Sequence, residues 1–196
     1  MRLFFALSLD AQTKLAIEQW RDKSLVPAVN FIPAANYHIT LAFTGSVTSA
    51  QTDELVSATD NLFAKTQVPS FKLTLNQCQY WANPGILWLG PTQWPEALEH
   101  CHRQLESLGQ SIRQKHLGTK KSKQNYQPHV SLLRTKELPA KPVIEADIPC
   151  YCPELCLYES ISKRQGVQYQ ALMQWPLLQN HVPDRPNSSS FRRRIE

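Results

Sequence analysis

The tetrapeptide His38-Ile39-Thr40-Leu41 returns as His129-Val130-Ser131-Leu132, 91 residues later in a chain of 196. On a β-strand, side chains two apart point the same way. His38 and Thr40 therefore share one face while Ile39 and Leu41 pack on the other, and His129 and Ser131 repeat the arrangement over Val130 and Leu132. Each half of the chain must then supply a strand that is apolar behind and polar in front. If the two strands flank a cleft, two imidazoles and two hydroxyls converge on one small volume.

Such a set suits in-line displacement at phosphorus. One group must activate the incoming oxygen and another must protonate the departing one. Imidazole, with an unperturbed pKa of about 6.5, does either near neutral pH. The hydroxyls can donate to nonbridging phosphate oxygens, where charge changes during reaction. No metal or cofactor is required, because the leaving group is protonated. A bare His-x-Ser/Thr pattern is not specific, however, in a chain with six histidines. On the residues alone, paired catalysis and two structural strand histidines stand as open alternatives.

The rest of the chain reads as α+β. Leu3, Phe5, Leu7 and Leu9 alternate as a first strand. Asp10 can cap a helix to about Leu25, with Leu15, Ala16 and Trp20 inward. A strand spans Tyr37 to Phe43, closed by Thr44-Gly45, and a second helix spans roughly Ser49 to Lys65. Phe71, Leu73 and Leu75 alternate as a strand, and Asn83-Pro84-Gly85 turns the chain into Ile86 to Leu89. The stripe Leu98, Cys101, Leu105, Leu108 and Ile112 marks a long third helix starting near Pro95. Further strands are expected at His129 to Leu133, Val143 to Cys150, Leu155 to Ile161 and Val167 to Trp175. Residues 1–178 read as one bilobal domain and 179–196 as a polar, basic tail containing Arg192-Arg193-Arg194.

No apolar run approaches the ~18 residues that span a bilayer. The five cysteines lack the spacing of a disulfide framework or a zinc site and read as small core residues of a cytoplasmic protein. The net charge of +5 is compatible with phosphate or nucleic-acid ligands. His100 and His102 diverge on their helix and read as surface residues, while His116 and His181 have no nearby constellation. The basic segment Lys115 to Lys123 reads as a solvated loop that could also screen an RNA backbone.

An ordered series of segments resembles the 2H phosphoesterases, in particular the bacterial RNA 2′,3′-cyclic phosphodiesterases historically called 2′–5′ RNA ligases. It comprises Arg2 to Leu7, Asn36 to Gly45, Pro128 to Arg134, Leu157 to Ser160, Gly166 to Tyr169 and Trp175 to Leu177. Ser131 stands where Thr is commoner, which keeps the hydroxyl, and Thr44 stands where Leu is usual, a difference of packing. The resemblance implies a two-lobed, pseudo-twofold α+β fold with antiparallel sheets, helices and a central groove. It implies metal-independent opening of RNA or nucleotide 2′,3′-cyclic phosphates to 2′-phosphomonoesters; a monomer is expected, and reversible 2′–5′ RNA ligation by the same groups is a further reading. By motif position, His38 is the general acid, His129 the general base, and Thr40, Ser131 and Arg134 hold phosphate oxygens.

Ideal parity places Arg134 opposite His129, so it reaches the groove only if the strand ends or twists there. Tyr37 and Phe43 share the packing face and read as core, and Tyr126 reads as a loop anchor rather than a base-stacking residue. The competing reading is a non-catalytic RNA-binding or tRNA-processing module that uses the same groove.

Overall fold

Short alternating strands punctuated by Pro, Gly and Asn, with three amphipathic stretches between them, set the element order. In chain order these are β1 (Arg2–Ser8), α1 (Ala11–Ser24), β2 (His38–Ser46), α2 (Ser49–Lys65), β3 (Phe71–Leu75), β4 (Gln77–Trp81) and β5 (Ile86–Gly90). Then follow α3 (Glu96–Leu117), β6 (Val130–Arg134), β7 (Ile148–Cys152), β8 (Glu154–Lys163) and β9 (Gly166–Pro176). The computed structural model describes residues 1–117, 126–163 and 166–179, the side chains of 113–117 excepted. The basic side chains from Lys115 to Lys123, the His116 ring, His181 and the tail from Asn180 onward therefore lie outside the described residues.

Local chemistry starts the helices where the sequence places them. Asp10 accepts from the Thr13 amide at 2.9 Å, and Thr48 forms a reciprocal capping box with Gln51. Helix α1 buries Thr13, Ile17, Trp20, Arg21 and Ser24. Leu15, expected inward, is 54% exposed. The Thr13 hydroxyl, which accepts from the Tyr151 amide at 3.1 Å, fixes the rotation of the helix so that Ile17 and Trp20 continue the inner stripe.

Four strands form one antiparallel sheet in the order β2-β1-β8-β9; β4-β5-β6 form a second, and β3 pairs with β7. Leu3, Phe5, Leu7, Ile39, Leu41, Leu155 and Leu157 back the first sheet and join one core with Leu87, Leu89, Val130 and Leu132 from the second. Strand β4 goes beyond the sequence expectation, because Gln77-Cys78-Gln79-Tyr80-Trp81 is largely polar and lies at a sheet edge. The expected strand from Val143 is shorter. Val143 and Ile144 are 81% and 48% exposed, and pairing begins only at Ile148 opposite Leu75.

Strands β2 and β6 share an irregularity that decides what faces the groove. Thr40 pairs with Ala6 but Ala42 pairs with Phe5, so Leu41 is an extra residue. Ser131 pairs with Trp88 but Leu133 pairs with Leu87, so Leu132 is extra. A β-bulge of this kind shifts the parity of everything after it. His38, Thr40 and Phe43 consequently share one face, as do His129, Ser131 and Arg134. From His38 to Phe43 and from His129 to Arg134 the burial sequence is identical: half-buried, buried, half-buried, buried, buried, exposed. Tyr37 is core, as expected, but Phe43 is 64% exposed on the groove side. That corrects the parity argument made from the sequence, and its cause is the bulge at Leu41.

Beside the outer edge of β2 runs α3, close enough that a Cβ on Gly109 would sit 3.5 Å from Thr44 Cγ2. Thr44 is fully buried and its hydroxyl donates to the Leu3 carbonyl at 2.8 Å, a packing role. None of the described cysteines is disulfide-bonded, and all but Cys78 are buried.

Candidate active site

Both motif histidines are oriented by the same device. His38 Nδ1 lies 2.7 Å from the Asn36 carbonyl and His129 Nδ1 lies 2.9 Å from the Gln127 carbonyl, each two residues upstream. A carbonyl can only accept, so each Nδ1 carries the hydrogen and each Nε2 is left for proton exchange. His38 Nε2 meets the Thr40 hydroxyl at 3.1 Å, which ties motif histidine and motif hydroxyl together on one face.

Aromatic walls enclose the two rings. His38 lies 5.1 Å from Phe4 and 5.0 Å, edge-on, from Tyr169, with Tyr158 at 6.1 Å. His129 lies 4.6 Å from Trp81, edge-on, and 5.9 Å from Trp88. Burial disfavours the imidazolium. It pulls His38 down to about 4 against the Asn36 carbonyl, with smaller lowering contributions from the charges of His129, Lys14 and Arg134. His129 is also lowered by burial, less far, with the Gln127 carbonyl opposing. The effect of His129 and Arg134 on His38 means that the two halves of the chain meet electrostatically at one place, where β2 and β6 adjoin.

Ser131 is half-buried beside His129 by strand parity, opposite Trp88. Arg134 reaches the same face through the bulge at Leu132 and is exposed there. His38 and Thr40 thus share one strand face, His129, Ser131 and Arg134 share another, and the two strands adjoin. The flanking Phe4, Trp81, Trp88 and Tyr169 go beyond the residues expected from the sequence. Phe4 and Tyr169 fall in segments that carry the family resemblance, whereas the signal for Trp81 and Trp88 is only that aromatics recur in the strands that share a sheet with the second motif strand. Asn36 and Gln127 act through backbone carbonyls, which leave no mark in a side-chain pattern.

Other sequence candidates fall elsewhere. Tyr126 stacks on His102 at 4.0 Å and 9° and also meets Trp94 edge-on, so it anchors its loop. His102, expected from the sequence to be a surface residue, is instead tied down: its Nδ1 donates to the Leu41 carbonyl at 2.6 Å. His100 lines a shallow groove between α2 and α3 with Glu54 and Arg103, away from the motifs. Among the described residues, no three His, Cys, Asp or Glu side chains gather as metal ligands.

An antiparallel α+β frame that aims one His-x-Ser/Thr strand from each half into a shared groove is that of the two-histidine phosphoesterases. The family model of the 2′-5′ RNA ligase superfamily matches residues 8–161, and the chain belongs to that superfamily. It is 33% identical over 180 residues to the RNA 2′,3′-cyclic phosphodiesterase of Escherichia coli K12, covering 91% of this chain and 97% of that one. Crystal structures of E. coli LigT are similar throughout. The 3′-AMP complex matches with a TM-score of 0.75 at 30% identity, over 90% of this chain and 97% of that one. The ATP complex matches with a TM-score of 0.74 at 29% identity, over 91% and 98%. A protein from Thermus thermophilus shares the fold at 20% identity, with a TM-score of 0.73 over 92% of this chain and 100% of that one.

Proposed function

We propose that this protein opens 2′,3′-cyclic phosphate ends of RNA or nucleotides to 2′-phosphomonoesters, without a metal ion. His129 Nε2 takes a proton from water as its oxygen bonds to phosphorus. The bond from phosphorus to the 3′ oxygen breaks, and His38 Nε2 delivers the proton that this oxygen needs. Thr40, Ser131 and Arg134 hold the nonbridging oxygens. Water consumed and proton transferred balance, and the two imidazoles end in exchanged protonation states. With the 5′ hydroxyl of an RNA in place of water, the same step makes a 2′–5′ linkage: His129 takes the hydroxyl proton as the 5′ oxygen bonds to phosphorus, and His38 protonates the departing 3′ oxygen.

The observation that carries this reading is the matched pair of Nδ1–carbonyl contacts, which leave each Nε2 as the ring nitrogen for proton exchange, that of His38 beside the Thr40 hydroxyl. Burial lowers both rings, His38 to about 4, so neither holds a proton tightly in the free protein. In the free protein near neutral pH both rings are mainly neutral. An anionic cyclic phosphate favours the imidazolium, so the working proton is held best when substrate is bound. The same reading makes residues 1–178 the catalytic unit of a cytoplasmic monomer, with 179–196 as an appended basic tail.

The test is incubation with a nucleoside 2′,3′-cyclic phosphate in EDTA, with the product isomer identified. A 2′-phosphate is expected at full rate. Replacing either His38 or His129 by Ala, with the fold intact, should lower kcat by at least the ~10²-fold typical of a lost acid or base. Strict dependence on a divalent ion, or near-normal turnover in either variant, would refute the mechanism.

A further inference from the structure

Helix α3 reaches the groove's framework through one side chain that the mechanism does not use. His102 Nδ1 donates at 2.6 Å to the carbonyl of Leu41, the extra residue of the β2 bulge. Leu41 directly follows Thr40, and β2 is an edge strand whose outer side faces α3. The same ring stacks on Tyr126 at 4.0 Å and 9°. Tyr126 directly precedes Gln127, whose carbonyl orients His129 at 2.9 Å. One imidazole thus touches, by its edge, the strand that carries His38 and, by its face, the segment that orients His129.

A bulge carbonyl left without a donor would shift towards one, and the strand would move with it. A stacking partner lost from Tyr126 would free Tyr126 and, with it, the neighbouring Gln127 carbonyl. We propose that His102 is a positioning residue: it fixes the distance and angle between the two motif strands, so that both Nε2 atoms address the same phosphorus. The proposal rests on the paired-histidine mechanism above. Misplacement of about 1 Å can cost on the order of 10²-fold in rate, so a clamp between the strands acts on kcat and leaves KM nearly alone.

The two contacts can be removed separately. H102N keeps a donor near Nδ1 and loses the stacked ring, H102F keeps the ring and loses the donor, and H102A loses both. With a nucleoside 2′,3′-cyclic phosphate as substrate, H102F and H102A are expected to lose at least about tenfold in kcat, with KM within about twofold. H102N is expected to recover part of the loss. A double substitution separates positioning from general damage. In a His38→Ala background, His102→Phe should cost little more, because the pair it aligns no longer exists.

Full additivity in that background, unchanged kcat in folded H102F, or a rise in KM as the main effect would each overturn the proposal. If H102A fails to fold, H102F decides the donor's role, since it fills the same place against Tyr126. Failure of the underlying reading looks different: the wild-type protein would be inactive on the substrate, or His38→Ala would be as active as wild type.

Discussion

At the residue scale, the site is two imidazoles whose protonation is set by enclosure. Their Nδ1 atoms are spoken for by Asn36 and Gln127, so each has one nitrogen for chemistry. Because His38 is depressed to about 4 and His129 below its ordinary value of 6.5, the form with one proton between them is most abundant on the acid side of neutrality. The profile of kcat/KM against pH is expected to be a bell with its optimum below 6.5, and its limbs belong to the coupled pair. The alkaline limb of kcat should lie higher than that of kcat/KM, because the bound phosphate stabilises the imidazolium. The charge of His129 is one cause of the low value at His38. His129→Gln should therefore raise the pKa of His38, read by NMR titration of its ring protons; a fall or no change would mean that the rings do not sense one another.

Among the elements, the bulges at Leu41 and Leu132 matter most, since they turn Phe43 and Arg134 to the groove. Arg134→Ala should raise KM more than it lowers kcat if the guanidinium mainly binds phosphate, and Arg134→Lys should restore it only partly. The turn before β5 sets the frame in which Arg134 pairs with Ile86. Gly85 there has φ +81°, and a Cβ would collide with the Thr135 carbonyl. Gly85→Ala is expected to cost more than ~1 kcal/mol in urea denaturation.

The helices and the motif strands were legible because caps, alternation and the stripe from Leu98 to Ile112 are local. The bulges were not, because parity counting assumes one residue per rung. Their sole trace is the adjacent apolar pair in each motif, Leu41-Ala42 and Leu132-Leu133. The role of His102 is hidden for a similar reason, as its partner is a backbone carbonyl 61 residues away in sequence.

For the whole molecule, the depressed histidine couples activity to stability. In the unfolded chain His38 titrates near 6.5, while in the fold it does so near 4. Between those values the unfolded state binds more protons, so this contribution is complete above about 6.5 and is lost as pH falls towards 4. The urea midpoint should drop from about pH 7 to about pH 5, and His38→Gln should flatten that slope; an unchanged slope would place the acid sensitivity elsewhere. The same whole-molecule view gives the pair of bulges a stereochemical meaning. A cyclic phosphate offers two ester oxygens of similar leaving ability, and a groove of perfect twofold symmetry would expel either. The duplicated frame carries a phenyl ring at Phe43 and a guanidinium at Arg134 in corresponding places. That inequality, beside those of Thr40 with Ser131 and of the two aromatic walls, gives the cleft a head and a tail, and with them a regiochemistry: exchanging the two, F43R with R134F, should enrich the opposite phosphate isomer in whatever activity survives.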